Sequence, residues 1–351
     1  MAETKDVLQE RRTDRGTRLS VVIPVLNESR GLDPLLARLV PVLDATGLAF
    51  DIVFVDDGST DDTLAMLRRL HAADPRIRAV SFSRNFGKEI AVAAGLEYAT
   101  GDVVVLMDAD LQHPPEMIPA LIARWREGYD IVYGQRTDRD ADSLSRRILA
   151  RAFYAVFRVL SGTELPTNAG DFRLLDRRAV DALNRLGERA RFNKGLFAWI
   201  GFKSTGIPFD APDRVHGEPS RWRPRKLLRF ALDGLASFST IPLRIWSYVG
   251  LAFSALAFAY IVLFLAKTLL FGIDQAGFPT LVISIMFFAG VQLISLGVIG
   301  EYLGRIYEEV KARPLYLVAE EIGIDAGPAA GQKTPRAIAD RVRETSVDAA
   351  E

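Results

Sequence analysis

The chain contains no cysteine among its 351 residues, which excludes disulfide bonds, thiolate zinc sites and a cysteine nucleophile. Histidine is also scarce, since only His71, His113 and His216 are present, so we expect neither a histidine-rich metal centre nor a Ser-His-Asp triad. A net charge is missing as well: 44 Lys and Arg residues balance 44 Asp and Glu residues. This balance argues against nucleic acid as a partner.

The amino terminus lacks the apolar core of a signal peptide, because residues 1–17 are mostly polar and charged. We expect a flexible tail there, followed by a domain that starts in the cytoplasm. The G-x-G-x-x-G turn of dinucleotide-binding proteins is also absent: the first apolar run leads instead into Val25-Leu26-Asn27-Glu28. This argues against an NAD or FAD site.

Short apolar runs alternate with helical apolar spacing between residues 19 and 134, which is typical of an α/β domain with a parallel, doubly wound sheet. Polar groups follow four of the expected strands, at Asn27-Glu28, Asp56-Asp57, the loop 83–88 and Asp108-Ala109-Asp110. The carboxyl ends of parallel strands meet at one edge of a sheet, and ligands bind there. The expected strands are 19–23, 50–55, 77–82, 103–107 and 131–133.

Asp108-Ala109-Asp110 ends the fourth of these strands, with Gln112 two residues further on. Two carboxylates crowded at a strand end repel each other unless a cation lies with them. An all-oxygen set that includes Gln112 suits Mg²⁺ or Mn²⁺ better than zinc. The alternative is that these carboxylates cap the helix after Pro114-Pro115. The clustering of polar groups at the same sheet edge favours the metal site.

Four segments resemble, in this order and spacing, the motifs of family 2 glycosyltransferases with the GT-A fold: V-I-P-V-L-N-E, V-D-D-G-S-T-D, S-R-N-F-G-K-E and M-D-A-D-L-Q-H-P-P-E. More narrowly, they resemble the bacterial polyprenyl-phosphate glycosyltransferases related to dolichol-phosphate mannose synthase. The resemblance covers about residues 18–315. It implies a GT-A (Rossmann-like, mostly parallel sheet) cytoplasmic domain followed by a two-helix transmembrane hairpin.

The resemblance also implies roles for individual residues. Asp110 and Asp171 would be catalytic, although Asp171 could act as a base or orient the sugar or Arg173. The segment Asn168–Arg173 resembles a family loop near the reacting centre, and Arg191–Trp199 resembles its acceptor-side helix. The nucleotide sugar would be bound by Pro24, Asn27, Glu28, Asp57, Lys88, Asp108 and Arg214, and the metal by Asp108, Asp110 and Gln112.

A basic segment after the fifth strand is the candidate site for an acceptor phosphate. Arg147 and Arg151 are four residues apart, so they share a face of the predicted helix. Together with Arg136 they could hold a phosphate by guanidinium forks. The alternative is that these arginines merely form a solvated helix face.

Two apolar runs, 246–270 and 278–303, each exceed the ~20 residues needed to span a bilayer core. Residues 222–239 mix basic and apolar side chains, as helices on anionic membrane surfaces do. The linker between the runs has no Lys or Arg, whereas Arg244 and Arg305 flank them, which places the catalytic domain and both termini in the cytoplasm. A buried core hairpin is the alternative.

The expected protein is a multi-pass enzyme of the inner membrane. It transfers one sugar with inversion from a UDP- or GDP-sugar, UDP-glucose favoured, to polyprenyl (undecaprenyl) phosphate for cell-envelope glycosylation. The alternatives are a processive or glycolipid synthase with a hydroxyl acceptor, and a non-catalytic scaffold that binds sugar nucleotides. We also expect a homo-oligomer. The expected parts are a tail at 1–17, the GT-A catalytic domain at 18–215, a juxtamembrane amphipathic helix at 216–240, two transmembrane helices at 241–308, and a C-terminal tail at 309–351 that is largely disordered from about 323.

Overall fold

The computed structural model describes residues 16–137, 166, 169–189, 191–210 and 277–324, together with individual residues between 250 and 270. These residues belong to two compact units. The first contains the described residues up to 210 and those from 314 onward, and the second contains those from 250 to 313.

The first unit is built on one sheet of eight strands, in the order β7-β5-β6-β4-β1-β2-β3-β8. The strands are β1 (Arg18–Val25), β2 (Ala49–Asp56), β3 (Ile77–Phe82), β4 (Val103–Leu106), β5 (Ile131–Arg136), β6 (Ala169–Asp176), β7 (Ser204–Phe209) and β8 (Val318–Ile322). The helices are α1 (Leu32–Ala45), α2 (Thr63–Ala73), α3 (Lys88–Tyr98), α4 (Ile118–Arg126), α5 (Arg177–Arg185) and α6 (Asn193–Trp199).

Strands β4, β1, β2 and β3 run parallel side by side, and β5 and β7 form a second parallel pair. The predicted mostly parallel sheet is therefore confirmed. Strand β6 lies between β4 and β5 and is antiparallel to both. Reading Asn168–Arg173 as a loop was wrong for residues 169–173, which form the first part of β6. This segment is held in the sheet by its pairing with β4 and β5, which lie more than 30 residues earlier in the chain. Such distant pairing cannot be recognised from the local sequence.

Strand β1 was expected to end at Ile23, but it continues through Pro24 to Val25. The neighbouring strand β4 pairs with β1 only as far as Val22, whose carbonyl accepts the N–H of Met107 at 3.1 Å. Groups two residues apart in a strand point to the same side. The missing N–H of Pro24 therefore faces the side on which β4 has already ended, so the proline costs the sheet no hydrogen bond.

Helices cover both faces of the sheet. On one face, α1 and α4 pack on apolar side chains of β1, β2, β4 and β6 in a single core cluster. On the other face, α3 packs on β1 and β2, while α5 packs on β4 and β6. Burial on both sides explains why the central strands are continuous Val, Ile and Phe runs rather than alternating sequences. The layered arrangement leaves the carboxyl ends of β1 to β4 as the place where polar loops collect.

The tightest contact between helix and sheet is at Gly95 in α3. A Cβ atom at this position would lie 2.1 Å from Cγ1 of Val22 and 3.2 Å from Cγ2 of Val55. Gly95→Ala gains about 1 kcal/mol of helix propensity but overpacks the core. We therefore expect the free energy of unfolding to fall by ~1–2 kcal/mol in total. A lower apparent Tm in detergent would show it. Gly187→Ala is the control, because no atom lies within 4 Å of its Cβ position. A Tm raised by Gly95→Ala would contradict this packing.

Strand β8 completes the sheet from the far end of the chain and pairs antiparallel with β3. Side chains reinforce this pairing: Arg68 binds Glu320 through two nitrogens, at 2.7 and 2.5 Å, and the Tyr98 hydroxyl contacts Glu321. Just before the strand, the Tyr316 hydroxyl donates to Glu97 at 2.8 Å. Residues 309–322 were expected in the C-terminal tail without any strand, so β8 was missed.

The second unit contains one long described helix, α7 (Phe278–Val310), of 33 residues. Within it, the segment Phe287–Val310 contains an 18-residue stretch with a mean hydropathy of 1.4 and no buried residue, and by length and composition it is long and apolar enough to cross a membrane. In the part of the chain that the structure describes, no other helix meets this criterion. The residues described between 250 and 270 are also helical. They fall in the first predicted span, and α7 contains all of the second.

Candidate active site

Residues after β1 and β2 interlock at the carboxyl edge of the sheet. The N–H of Asn27 donates to the Ser59 hydroxyl at 2.9 Å, and the Asn27 side-chain oxygen accepts the N–H of Thr60 at 2.8 Å. The N–H of Glu28 donates to the Thr63 hydroxyl at 3.0 Å. Asn27 has φ 56, in the left-handed region that asparagine tolerates. Asn27 thus shapes the loop surface that was assigned to the nucleotide.

Asp57 joins the loop after β2 to the loop after β3. Its carboxylate accepts the N–H of Phe86 at 2.7 Å and the N–H of Gly87 at 3.0 Å. Gly58 has φ 71, and a Cβ there would lie 2.4 Å from the carbonyl carbon of Arg84. Burial raises the pKa of Asp57, and the two backbone donors offset this only in part. Through its two backbone hydrogen bonds, the Asp57 carboxylate organises the backbone that leads to Lys88.

Lys88, the first residue of α3, bridges two carboxylates from different strands. Its Nζ lies 2.7 Å from Oδ1 and 2.8 Å from Oδ2 of Asp108, and 2.8 Å from Oδ2 of Asp171. Burial alone would lower the pKa of Lys88, but the two carboxylates raise it above its usual value. Burial would likewise raise the pKa of Asp171, yet nearby Lys88 and Lys194 hold it well below the usual range. Lys88 and Asp171 are therefore both charged at neutral pH.

The Asp108–Gln112 turn is held by hydrogen bonds that its own residues make. The N–H of Gln112 donates to Oδ1 of Asp110 at 3.1 Å, and the buried Leu111 has φ 59. The N–H of Asp108 donates to Nδ1 of His113 at 3.0 Å, so this ring is neutral with its proton on Nε2. Burial lowers the pKa of His113, and its ring stacks on Phe172 at a centroid distance of 5.1 Å.

A buried polar cluster lies behind Asp171 and joins β6 to α3 and α6. Glu89 accepts the N–H of Asn193 at 2.9 Å, and its pKa is raised by burial and by Asp171. Arg173 donates to the carbonyl of Gly170 at 2.7 Å and covers the Phe197 ring at 3.7 Å. Burial lowers the pKa of Arg173 to about 10. Its Nε has no hydrogen-bond partner among the described residues.

Of the residues predicted from the sequence, the structure brings together Lys88, Asp108 and Asp171 and places Asp57 at the root of the Lys88 loop. Arg136 ends β5 and is half-buried. Arg147, Arg151 and Arg214 lie outside the described residues. Sequence reasoning missed the contributions of Glu89, His113 and Asn193. Only the burial of His113 beside two carboxylates could have been suspected, from its position after the D-x-D.

Within the described ranges, no group of three or more His, Cys, Asp or Glu side chains is placed to hold a metal ion. The carboxylates of Asp108 and Asp110 are the candidate donors. Mg²⁺ usually takes one or two protein carboxylates and completes its shell with water and substrate phosphates. Two aspartates at the sheet edge fit that pattern, and a cation, the Lys88 ammonium, already lies on Asp108.

Comparisons with known proteins agree with this architecture. Residues 20–183 match "Glycosyl transferase family 2", and residues 241–306 match "GtrB C-terminal hairpin". "Uncharacterized glycosyltransferase sll0501" of Synechocystis is 49% identical over 310 residues, which cover 88% of this chain and 97% of the relative. The chain belongs to glycosyl transferase family 2. The predicted family membership and GT-A fold class are thereby confirmed.

Another relative of family 2 is the "Bactoprenol glucosyl transferase" of Shigella phage SfV. It is 41% identical over 304 residues, covering 87% of this chain and 99% of the relative. Among solved structures, glucosyl-3-phosphoglycerate synthase of Mycobacterium tuberculosis, in complex with Mn²⁺, UDP-glucose and phosphoglyceric acid, is 22% identical with a TM-score of 0.45. That similarity covers 65% of this chain and 80% of the other, and it is too distant to bear on function.

Proposed function

We propose that this member of family 2 is a membrane-bound inverting glycosyltransferase that moves one sugar, glucose favoured, from a nucleoside-diphosphate sugar to polyprenyl phosphate. The observation that carries the proposal is the convergence of Lys88, Asp108 and Asp171 within 2.8 Å contacts at the carboxyl edge of the sheet. The match of residues 241–306 to the GtrB hairpin and the names of the bactoprenol relatives support a lipid acceptor.

The donor side would use the loops after β1, β2 and β3. Pro24, Asn27, Glu28 and Asp57 would hold the nucleoside, with Lys88 and Arg214 on the diphosphate. Asp108, Asp110 and Gln112 would hold Mg²⁺ or Mn²⁺. When bound, such an ion neutralises charge on the leaving diphosphate. The protein contributes loops that are fixed before the donor arrives, because Asp57 already orders the backbone of Phe86 and Gly87.

The acceptor is a phosphomonoester, which carries ~−1.5 to −2 charges at pH 7 because its second pKa is about 6. Its oxygen is therefore ionised before it attacks the anomeric carbon from the side opposite the diphosphate, and the configuration inverts. A general base has little to do in such a step. Asp171, whose pKa is held low by Lys88 and Lys194, would be a weak base, so we assign it to positioning at the reacting centre.

The direct test is a turnover assay with the full chain in detergent, radiolabelled UDP-glucose or GDP-mannose, and undecaprenyl phosphate. We expect one labelled sugar per lipid, released as the free sugar by mild acid. Label that appears only in a polymer, or only on a hydroxyl acceptor, would favour the processive or glycolipid alternative. Binding of the nucleotide sugar without transfer to any acceptor would favour the non-catalytic scaffold.

Arg136, Arg147 and Arg151 are the proposed contacts to the acceptor phosphate. We expect Arg136→Ala to raise the apparent KM for polyprenyl phosphate roughly ten- to a hundredfold, the loss of a charged hydrogen bond of ~1.5–3 kcal/mol. The KM for the nucleotide sugar should stay nearly unchanged, and Arg136→Lys should rescue only in part, since lysine offers no fork. The two KM values are measured by varying the concentrations of polyprenyl phosphate and nucleotide sugar separately. An unchanged lipid KM in the triple alanine variant would assign the arginines to a solvated face.

The two apolar runs are proposed to cross the inner membrane with the catalytic domain and both termini in the cytoplasm. Since the chain lacks cysteine, single cysteines at Gln275 and at the exposed Ala72 report topology without background. We expect a membrane-impermeant maleimide to label Gln275→Cys from outside intact cells and Ala72→Cys only after lysis. Labelling of both from the same side would rule out two spans. The homo-oligomer stays a prediction.

A further inference from the structure

The D-x-D motif carries a protein cation. Both carboxylate oxygens of Asp108 contact the Lys88 ammonium, at 2.7 and 2.8 Å, and the same nitrogen lies 2.8 Å from Asp171. A divalent ion on Asp108 would need lone pairs of these same oxygens. Lysine donates hydrogen bonds and accepts none, so it cannot share a metal's coordination shell. Because each carboxylate oxygen has a second lone pair, the competition between lysine and metal is electrostatic: the ammonium places a positive charge beside any divalent ion on Asp108.

We propose that Lys88 is an internal counter-ion of the D-x-D motif, which keeps the free enzyme's affinity for divalent metal low until a nucleoside diphosphate draws the lysine away. The inference rests on the metal and donor sites of the proposed function. It assigns to Lys88 a second role, control of metal loading, in addition to contact with the diphosphate.

The charge balance around Lys88 favours this competition. Asp108, Asp110 and Asp171 supply three carboxylates, and Lys88 is the ammonium that contacts two of them. Removing this ammonium leaves the same carboxylates with one positive charge less, which strengthens their attraction for a divalent ion. The gain should be substantial, because the contacts are short and the Asp108 side chain is only 26% exposed.

Lys88 is also built to move while its backbone stays in place. Its backbone position follows from Gly87, whose N–H is held by Asp57 and whose φ of 103 suits glycine. Its side chain is 46% exposed and ends in a point charge on a flexible stem. A diphosphate that arrives beside Asp108 offers the ammonium more negative charge than one carboxylate does. When the Lys88 ammonium moves to the diphosphate, it would also break its contact with Asp171. Binding of the donor would therefore free both carboxylates before the lipid reacts.

The test measures Mn²⁺ binding to the full-length protein in detergent without sugar or lipid, by the electron paramagnetic resonance signal of free Mn²⁺. We expect Lys88→Met to bind Mn²⁺ roughly ten- to a hundredfold more tightly than the wild type, because the variant lacks the equivalent of one charged hydrogen bond from a competing cation. Lys88→Gln should act like Lys88→Met, and it stands in if the methionine variant does not fold. Lys88→Arg keeps the positive charge, so its affinity for Mn²⁺ should stay as weak as that of the wild type.

Lys203→Met is the matched control, since the Lys203 ammonium lies over the Tyr129 ring at 4.3 Å, just before β7. Its Mn²⁺ affinity should equal that of the wild type. Adding UDP should tighten Mn²⁺ binding strongly in the wild type and much less in Lys88→Met, because coupling between two ligands is reciprocal and the variant has no lysine to displace.

Equal Mn²⁺ affinity in the wild type and in both neutral Lys88 variants would overturn the counter-ion role. Asp108→Asn separates this failure from a failure of the metal site itself. If Asp108→Asn weakens Mn²⁺ binding while the neutral Lys88 variants do not change it, the metal assignment holds and the competition is rejected. If Mn²⁺ binds the Lys88→Met variant equally well with and without Asp108→Asn, both are rejected.

Discussion

Asp110→Asn is expected to lower kcat for sugar transfer by about 10²–10³-fold, the range for losing one electrostatic contributor to a reacting centre. The carboxylate is the second acidic group of the D-x-D motif, and the substitution removes its charge. The fold should survive, because the asparagine side-chain oxygen can still accept the N–H of Gln112, now 3.1 Å from Oδ1. The measurement is single-turnover transfer to polyprenyl phosphate, together with an unchanged apparent Tm.

Metal removal should mimic this variant. EDTA should abolish transfer by the wild type, and added Mg²⁺ or Mn²⁺ should restore it, whereas Asp110→Asn should respond little to either. Asp33→Asn is the control for a lost aspartate charge, since Asp33 pairs with Arg69 on the exposed surface. Full activity in metal-free buffer would refute the proposed metal dependence.

Asp57→Asn should raise the KM for the nucleotide sugar roughly a hundredfold and leave the lipid KM nearly unchanged. The carboxylate accepts N–H groups from both Phe86 and Gly87, and an amide presents its own N–H₂ on one side, so at least one charged hydrogen bond of ~1.5–3 kcal/mol is lost. The loop that delivers Lys88 then loosens. Asp62→Asn is the control, because the exposed Asp62 makes no capping hydrogen bond. Equal donor KM values in the two variants would reject the role of Asp57.

The same carboxylate predicts a pH dependence. Burial raises the pKa of Asp57, so its proton binds at a higher pH than it would on an ordinary aspartate, whose pKa is about 3.9. Protonation removes the charge that holds Phe86 and Gly87. Donor affinity should therefore fall as the pH drops toward the raised pKa, before ordinary aspartates titrate. A donor Kd that stays constant down to pH 4 would contradict this assignment.

The sequence predicted the strands whose signal is local. Strands β1 to β5 are apolar runs bounded by polar turns, and each was found with its end within a few residues. Strands β6 and β8 were missed because what makes them strands is a partner far along the chain. Arg68 and Glu320, which tie β8 to α2, are 252 residues apart. In β6 the charged Arg173 is itself buried, so the usual alternation of apolar and polar residues is broken.

The residues of the candidate site also fall into those that local motifs predict and those that depend on distant parts of the chain. Asp57, Lys88, Asp108 and Asp110 stand in motifs that can be read from the order of the chain. The contact of Lys88 with Asp171 spans 83 residues and depends on β6 entering the sheet beside β4, which no motif states. The neutral His113 beneath Asp108 is likewise a result of packing, since it requires Phe172 from β6 as its stacking partner.

The late position of β8 in the chain has a consequence for biogenesis. Ribosomes make residues 318–322 only after α7, so the newly made catalytic sheet has an unpaired β3 edge until the apolar segments have emerged. Such an edge is a template for mispairing with other chains. Polypeptides that stop before β8 would keep it open and would be candidates for proteolysis. A complete eight-stranded sheet would therefore arise only from chains whose apolar segments have already been synthesised.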